Sequence, residues 1–405
     1  MNITIITNNY YPEDSGIGLY SAGMAEYLAE KHEVKIISAM PYYPQWEIYP
    51  EYKSKGSYFK EIINKVIVYR FKTYVPKNPN FAGRILQIIS FFFGSLVNVF
   101  KIKKSDVIIV VVPFTISVIL GMILRKLFGG KLWIHVQDFE FDAAFQTGLS
   151  SEKSLKAKMF FKIESFIYKR ADKLSTISNG MLNKMKEKTK NDGFLFPNWI
   201  DYSKINPEIA KHHPIINNNF FNILYSGNIG AKQDWEFFNE FVLGCQELDN
   251  VKIILIGDGA MKKEVLKNLK SFKNCSYHPP VRYEDLNDLL CNADLHILFQ
   301  KDSVVESVMP SKILGMMASS KPSLVTGHDN SEVQKVFEIS NGGYYFSGKE
   351  KLSNCIQIIN ELSSDKEKGN KMGKNARNFI VESFSKEKVL KNFEKEIENL
   401  VNDKK

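Results

Sequence analysis

Apolar and polar positions follow two rhythms along this chain, and the rhythms take turns. Short apolar runs at 3–7 (ITIIT), 33–39 (EVKIISA), 107–112 (VIIVVV), 131–137 (KLWIHVQ) and 173–177 (KLSTI) predict strands. Such β-branched runs suit a sheet covered on both faces. Between them, 18–31 and 153–169 carry the spacing of amphipathic helices. The rhythm breaks at 198–219 (NWIDYSKINPEIAKHHPIINNN), which is rich in Asn and Pro and predicts an interdomain linker with His212 and His213 in solvent. A second series starts at 221–227 (FNILYSG) and continues through 251–259 (VKIILIGDG), 275–279 (CSYHP), 294–300 (DLHILFQ) and 322–326 (PSLVT), with helices between. The end, 370–405, is helical and charged, with no strand after it. Strand–helix alternation predicts parallel sheets. The expected fold class is therefore α/β: two Rossmann-like, doubly wound domains facing a central cleft, with ligands at the carboxyl ends of the strands.

A length of 405 residues agrees with two domains. The net charge of +9 is moderate and suits an anionic substrate or a membrane surface. There is no long Lys/Arg block, zinc-finger spacing or RNP-type aromatic motif, so no nucleic-acid partner is expected. Cys245, Cys275, Cys291 and Cys355 form no CxxC, which points to a reducing compartment and to no bound metal. The N-terminal MNITIITNNYYPEDSG lacks the basic and apolar regions of a signal peptide. Two uncharged stretches, 85–100 and 107–124, are strongly apolar, and the second is long enough to span a bilayer. Pro113 instead divides it into a strand, a turn and a helix. Around these stretches lie Arg84, Lys101, Lys103, Lys104, Arg125, Lys126 and Lys131 against Asp106. Apolar helices with basic flanks predict peripheral contact with anionic lipid, at the inner face of the cytoplasmic membrane.

Five segments carry candidate chemistry. After the first strand, Gly16 and Gly18 precede a helix. They either let backbone approach a ligand at a helix N-terminus or form a plain turn pair. A dinucleotide fingerprint is excluded, because Ser21 takes the third glycine position and the second strand ends ISAM without an acid for a ribose. In YSGNIGAKQ, Gly227, Asn228, Gly230 and Lys232 combine bare backbone with one cation, as a phosphate requires; Lys232 alone would equally be a surface lysine. In IGDGA, Gly257 and Gly259 end a strand and open a helix. In ESVMPSKILGMMA, Pro310 suits a helix start, which places Ser311 and Lys312 where free N–H groups favour an anion. Glu306 cannot favour phosphate and would grip hydroxyls, unless it is incidental to a capped core helix. A negative ligand with a polyhydroxy end, a nucleotide-sugar, satisfies both features. In HVQDFEFDAA, His135 is either a contact for substrate oxygens or a satisfied structural histidine, and Asp138, Glu140 and Asp142 lack metal-ligand spacing.

Taken in order, NNYYPEDSGIG, PYYPQW, HVQDFEFDAA, STIS, FPNW, YSGNIGAKQ, IGDG, YEDLNDLLCNADLHI and ESVMPSKILGMMA resemble glycosyltransferase family 4, retaining enzymes with the GT-B two-domain fold. The look is that of a bacterial capsule, O-antigen and colanic-acid group that transfers fucose or N-acetylfucosamine. The resemblance implies an N-terminal acceptor domain at 1–200, a nucleotide-sugar domain at 201–377, and a final helix at 378–405 crossing back to the N-terminal domain. It implies transfer of a hexose from a UDP- or GDP-sugar to a glycan or polyprenyl-diphosphate-linked acceptor, with no cofactor and no metal. His135, Lys232 and Glu306 would carry the chemistry. Gly18, Gly227, Asn228, Gly257, Pro310, Ser311 and Lys312 would bind the donor, and Gly16 and Asp138 the substrate side. Many family members carry Arg where Asn228 stands and Glu where Gly315 stands, the latter to hold the ribose. The alternatives are a sugar-nucleotide epimerase of the same fold and a non-catalytic partner subunit of a glycosyltransferase.

Overall fold

The computed structural model of the chain describes residues 1–14, 16–77, 80–139, 155–269, 271–302 and 310–403, and only the backbone of 81 and 155–157. The chain divides into two compact units, Met1–Pro197 with Leu390–Lys405, and Asn198–Val389.

The first unit is built on strands β1 (Asn2–Ile6), β2 (Glu33–Ala39), β3 (Tyr58–Ile63), β4 (Val66–Phe71), β5 (Val107–Val112), β6 (Lys131–Val136), β7 (Lys173–Thr176) and β8 (Phe194–Leu195), in the order β3-β4-β2-β1-β5-β6-β7-β8. All neighbours are parallel except β3 with β4. Every residue of β5 is buried, as expected of a central strand with both faces covered. The apolar stretch 107–124 is accordingly split into β5 and the helix Ser117–Phe128. The β3–β4 hairpin is an addition to the expected elements. Its turn residues Asn64 and Lys65 both take positive φ, 47° and 69°, which suits the twist of a tight hairpin. Between β4 and β5 runs the helix Phe81–Val99, opened by the Asn80 side chain accepting from Gly83 N at 2.9 Å. Within it, Ala82–Val99 is the one described helical segment long and apolar enough, by length and composition alone, to cross a membrane.

The chain end closes this unit. From Leu390 onward, the helix Lys386–Asn402 stacks Phe393 on Phe196, with ring centroids 3.9 Å apart, and edge-on to Trp133. Lys31 meets the buried Glu394 at 2.8 Å, and Lys173 pairs with Glu396. The preceding helix, Lys366–Phe384, stays wholly in the second unit, so the division falls at 389/390 and not at 377/378. Its small residues decide this: a Cβ on Gly373 would lie 2.0 Å from Ser320 O, and Arg377 donates to the carbonyls of Ile205 and Ala318.

The second unit is an all-parallel sheet of β9 (Phe221–Ser226), β10 (Val251–Ile256), β11 (Cys275–His278), β12 (Leu295–Phe299), β13 (Ser323–Thr326) and β14 (Gly343–Phe346), ordered β11-β10-β9-β12-β13-β14. The stretch read as a linker belongs to this unit. Ile205 and Ile216 are part of its core. His212 is exposed, but His213 is buried: its Nδ1 accepts from Ile215 N at 3.3 Å, and burial pushes its pKa down. A local turn folds this histidine inward, which composition could not reveal.

Candidate functional site

In each sheet the strand order reverses at one place, and loops leaving the strands there splay apart to leave room for a ligand. In the second unit that place lies between β9 and β12. The loop after β9 packs backbone on backbone. Gly227, Gly257 and Gly259 take φ of 148°, 157° and 155°, and a Cβ on Gly257 would stand 1.9 Å from Gly227 O. Ile229 N donates to Asp258 O at 2.8 Å, tying the ends of β9 and β10 together. Replacing Gly257 by Ala is therefore expected to cost about 2 kcal/mol or more through strain and overpacking. It should also abolish any stabilisation by nucleotide; urea unfolding with and without ligand checks both.

Lys312 reaches this loop from the helix Ser311–Ala318. Its Nζ donates to Tyr225 Oη at 3.2 Å and sits 4.7 Å from that ring's centroid. A Cβ on Gly227 would touch the same Nζ at 2.8 Å. Tyr225 Oη in turn donates to Asn228 O at 2.7 Å, and burial drives the phenol's pKa far up, so it stays protonated. The structure thus brings Gly227, Asn228, Gly257 and Lys312 together. Pro310 is the residue before the helix, and Ser311 is exposed in its first turn. Lys232 is exposed, and its ammonium has no partner among the described residues. Glu306 lies outside the described residues. Gly315 is half-buried, and a Cβ there would meet only Leu290 Cδ1 at 3.5 Å.

Two residues here were missed from sequence. Tyr225 is one. The other is Lys351, whose Nζ lies 3.4 Å from Asp234 and 3.3 Å from Asp302, neutralising two carboxylates beside the loop. Asp234 also caps the helix Trp235–Gly244 by accepting from Phe237 N at 3.1 Å. Nothing local marks Lys351, which is 117 positions from Asp234. The arrangement offers bare backbone and an anchored ammonium, which is the chemistry of an anion cradle.

In the first unit the reversal lies between β1 and β5. Gly16 takes φ 55°, and a Cβ on Gly18 would stand 2.7 Å from Glu13 Cβ. Glu13 was not singled out from sequence, yet it organises this corner. It is 2% exposed, and its Oε1 accepts from Tyr42 N at 2.8 Å and Tyr43 N at 2.9 Å. Oε2 is buried without a hydrogen-bond partner. Burial raises the carboxyl's pKa, and the two backbone bonds pull it back. Asn8 donates to Tyr42 Oη, while Asn8 Oδ1 and Asn9 Nδ2 are buried without hydrogen-bond partners. Buried polar atoms left open are what water or a ligand's hydroxyls fill. The available signal was a carboxylate in the loop leading to two glycines.

His135 sits at the carboxyl half of its strand, enclosed by protein. It is buried on β6, with Nδ1 2.9 Å from Ser175 Oγ and Nε2 2.9 Å from the Gln137 side-chain amide. The Gln137 amide nitrogen donates to Nε2, so the ring proton sits on Nδ1 and is donated to Ser175 Oγ, which also accepts from Trp133 Nε1 at 2.7 Å. Burial pulls the pKa to about 3, and the ring is neutral. Asp138, three residues on, is exposed, while Glu140 and Asp142 lie outside the described residues. His296, buried on β12 with Nε2 2.9 Å from Ser319 Oγ, is likewise lowered to about 3. Both folded values lie below the ordinary histidine value, so the unfolded chain takes up these protons first. Stability is expected to be unaffected by them above about pH 6.5 and to fall below it. Each ring contributes up to about 1.4 kcal/mol per pH unit until the folded value is reached. Urea midpoints at pH 7 and pH 5 read this.

No family model matches the chain. It is 33% identical over 359 residues, covering 84% of this chain and 87% of the relative, to the putative colanic acid biosynthesis glycosyl transferase WcaI of Escherichia coli K12. Among solved structures, the sucrose-phosphate synthase of Thermosynechococcus elongatus superposes with a TM-score of 0.72 at 12% identity, covering 98% of both chains. Anabaena Alr3699/HepE in complex with UDP superposes with a TM-score of 0.68 at 14% identity, covering 98% of this chain and all of that one. Given that identity over most of the WcaI chain, and two parallel-sheet units of the GT-B fold, this chain belongs to the GT4-like glycosyltransferases.

Proposed function

We propose that the chain transfers a hexose, of the fucose type, from a nucleoside-diphosphate sugar to a lipid-linked or growing surface-polysaccharide acceptor, retaining the anomeric configuration. The bond between the sugar's anomeric carbon and the diphosphate oxygen breaks, and its electron pair leaves with the diphosphate. An acceptor hydroxyl oxygen bonds that carbon from the same face, and its proton passes to the departing phosphate oxygen. Charge builds on the diphosphate as it leaves, so preorganised donors there lower the barrier most. The observation that carries the reading is Lys312 Nζ held against the Gly227–Asn228 backbone, at the reversal point of the second sheet. Lys232 and Ser311 stand in the adjoining loop and first helical turn, and would complete the grip without a metal. The HepE structures with UDP and with UDP-glucose support a donor of this class, and WcaI supports a polysaccharide product. The enzyme would work at the inner face of the cytoplasmic membrane, where lipid-linked acceptors are presented.

A thermal-shift series with UDP, GDP, dTDP and their sugars tests the donor. A nucleotide held at 100 times its Kd is expected to stabilise by about 2.7 kcal/mol. If none of these ligands moves the midpoint, the donor assignment is wrong. The anomeric configuration of the product, read by NMR coupling, decides retention.

A further inference from the structure

We infer that the helix Leu155–Tyr168, together with the helix Phe81–Val99, forms a face of the first unit that docks on a bilayer of anionic phospholipid. The helix following β6 has an unusual outer side. Met159, Ile163 and Phe166 are 53%, 44% and 57% exposed and follow one another at helical spacing as an apolar ridge. Beside them stand Lys158, Lys162 and Lys169, all exposed. The helix's one carboxylate in this stretch, Glu164, is buried and paired with Lys188, so no carboxylate on this helix faces outward from 158 to 169. Beside this ridge lies a hollow of about 410 Å³ lined by Phe161, Lys162, Ser165, Phe166, Lys169 and Lys188. Arg170 lies over the Phe166 ring at 4.5 Å.

A helix on a water-facing surface carries mixed charge outward, whereas apolar side chains between lysines suit the headgroup boundary of an acidic bilayer. The second helix adds area. Leu86, Ile89, Phe93 and Val97, with Phe100 just beyond the helix, are 41% to 64% exposed. The helix carries no acidic residue, and Arg84 and Lys101 stand near its ends. The topology puts both helices on one side of the sheet. The connections β4 to β5 and β6 to β7 step in the same direction between parallel strands. Right-handed crossovers then place their helices on the same face. The helix between them, Ser117–Phe128, packs on Phe81–Val99, and its Arg125 donates to Arg170 O and pairs with Asp172, both at 3.0 Å. A bilayer is the occupant that matches both halves of this surface, charge and greasy ridge.

This deepens the lipid-linked acceptor reading, and its test needs neither donor nor turnover, so the two can fail separately. Vesicle flotation is run with phosphatidylcholine alone and with added phosphatidylglycerol. The full chain is expected to float with the acidic vesicles and to be released by salt. Changing Lys158, Lys162 and Lys169 together to Gln should weaken binding on the order of 100-fold, at about 1 kcal/mol per lysine. A second variant, Met159→Ser with Ile163→Ser and Phe166→Ser, should lose binding while keeping its unfolding midpoint, since these side chains are exposed. Equal binding to neutral vesicles, or wild-type binding by both variants, would overturn the inference. So would a vesicle-free dimer that the serine variant dissolves.

Discussion

Replacing Lys232 by Ala is expected to lower kcat/KM for sugar transfer about 10²-fold or more, the scale seen when a charge-stabilising donor is removed from a leaving group. The structure makes this a clean experiment. The Lys232 side chain is exposed and its ammonium has no partner among the described residues. Its removal leaves no buried group unpaired, and the unfolding free energy should stay within about 0.5 kcal/mol of the parent. Lys312 is a less selective probe, because its Nζ bonds Tyr225 beneath the loop, and a loss there mixes chemistry with loop geometry. Initial rates of nucleotide release, measured beside urea unfolding, separate the two effects. Near-parental turnover in Lys232→Ala would remove this lysine from the diphosphate grip.

The second large effect is on the fold. Arg70 on β4 has no exposed surface. Its guanidinium pairs with Glu61, donates to Ala39 O at 3.0 Å and to Tyr11 O, and lies 5.0 Å from the Tyr52 ring centroid. It therefore fastens the end of β2 and the loop holding Glu13 to the edge hairpin. Arg70→Ala is expected to cost about 3–5 kcal/mol, the penalty of stranding one partner of a buried pair. Arg70→Lys should recover little, because one ammonium cannot reproduce the planar fork that serves a carboxylate and two carbonyls. Denaturant unfolding monitored by tryptophan fluorescence gives both numbers. A loss under about 1 kcal/mol would mean that the corner is held by other contacts.

Several elements are legible in the order of residues alone. β5 announced itself as six β-branched residues in a row, and Pro113 marked its end, because a buried parallel strand needs no alternation and proline cannot continue the ladder. The glycine loops at Gly227 and Gly257 were legible for a related reason: close backbone approach leaves an absence of side chain as its trace. The β3–β4 hairpin was passed over although its alternation and its Asn64–Lys65 turn were present, since the strand–helix rhythm drew attention away from an antiparallel edge. The surroundings of His135 were not legible, because residue type and strand position do not report which distant side chains enclose a ring. Ser175, which holds its Nδ1, lies 40 positions away.

The order of residues alone sets the alternation of strands and helices, the two-part organisation, and which loops carry glycine where a ligand could approach. These are local consequences of backbone sterics and of the period at which apolar side chains recur. Which charges meet depends on how the folded segments pack. Lys312 comes to lie on Tyr225 from 87 positions away, Glu13 turns inward onto Tyr42 and Tyr43, and the chain's end returns to cover Trp133. Strand order and register set those meetings, and both arise from packing between segments whose separation along the chain encodes nothing about their separation in space.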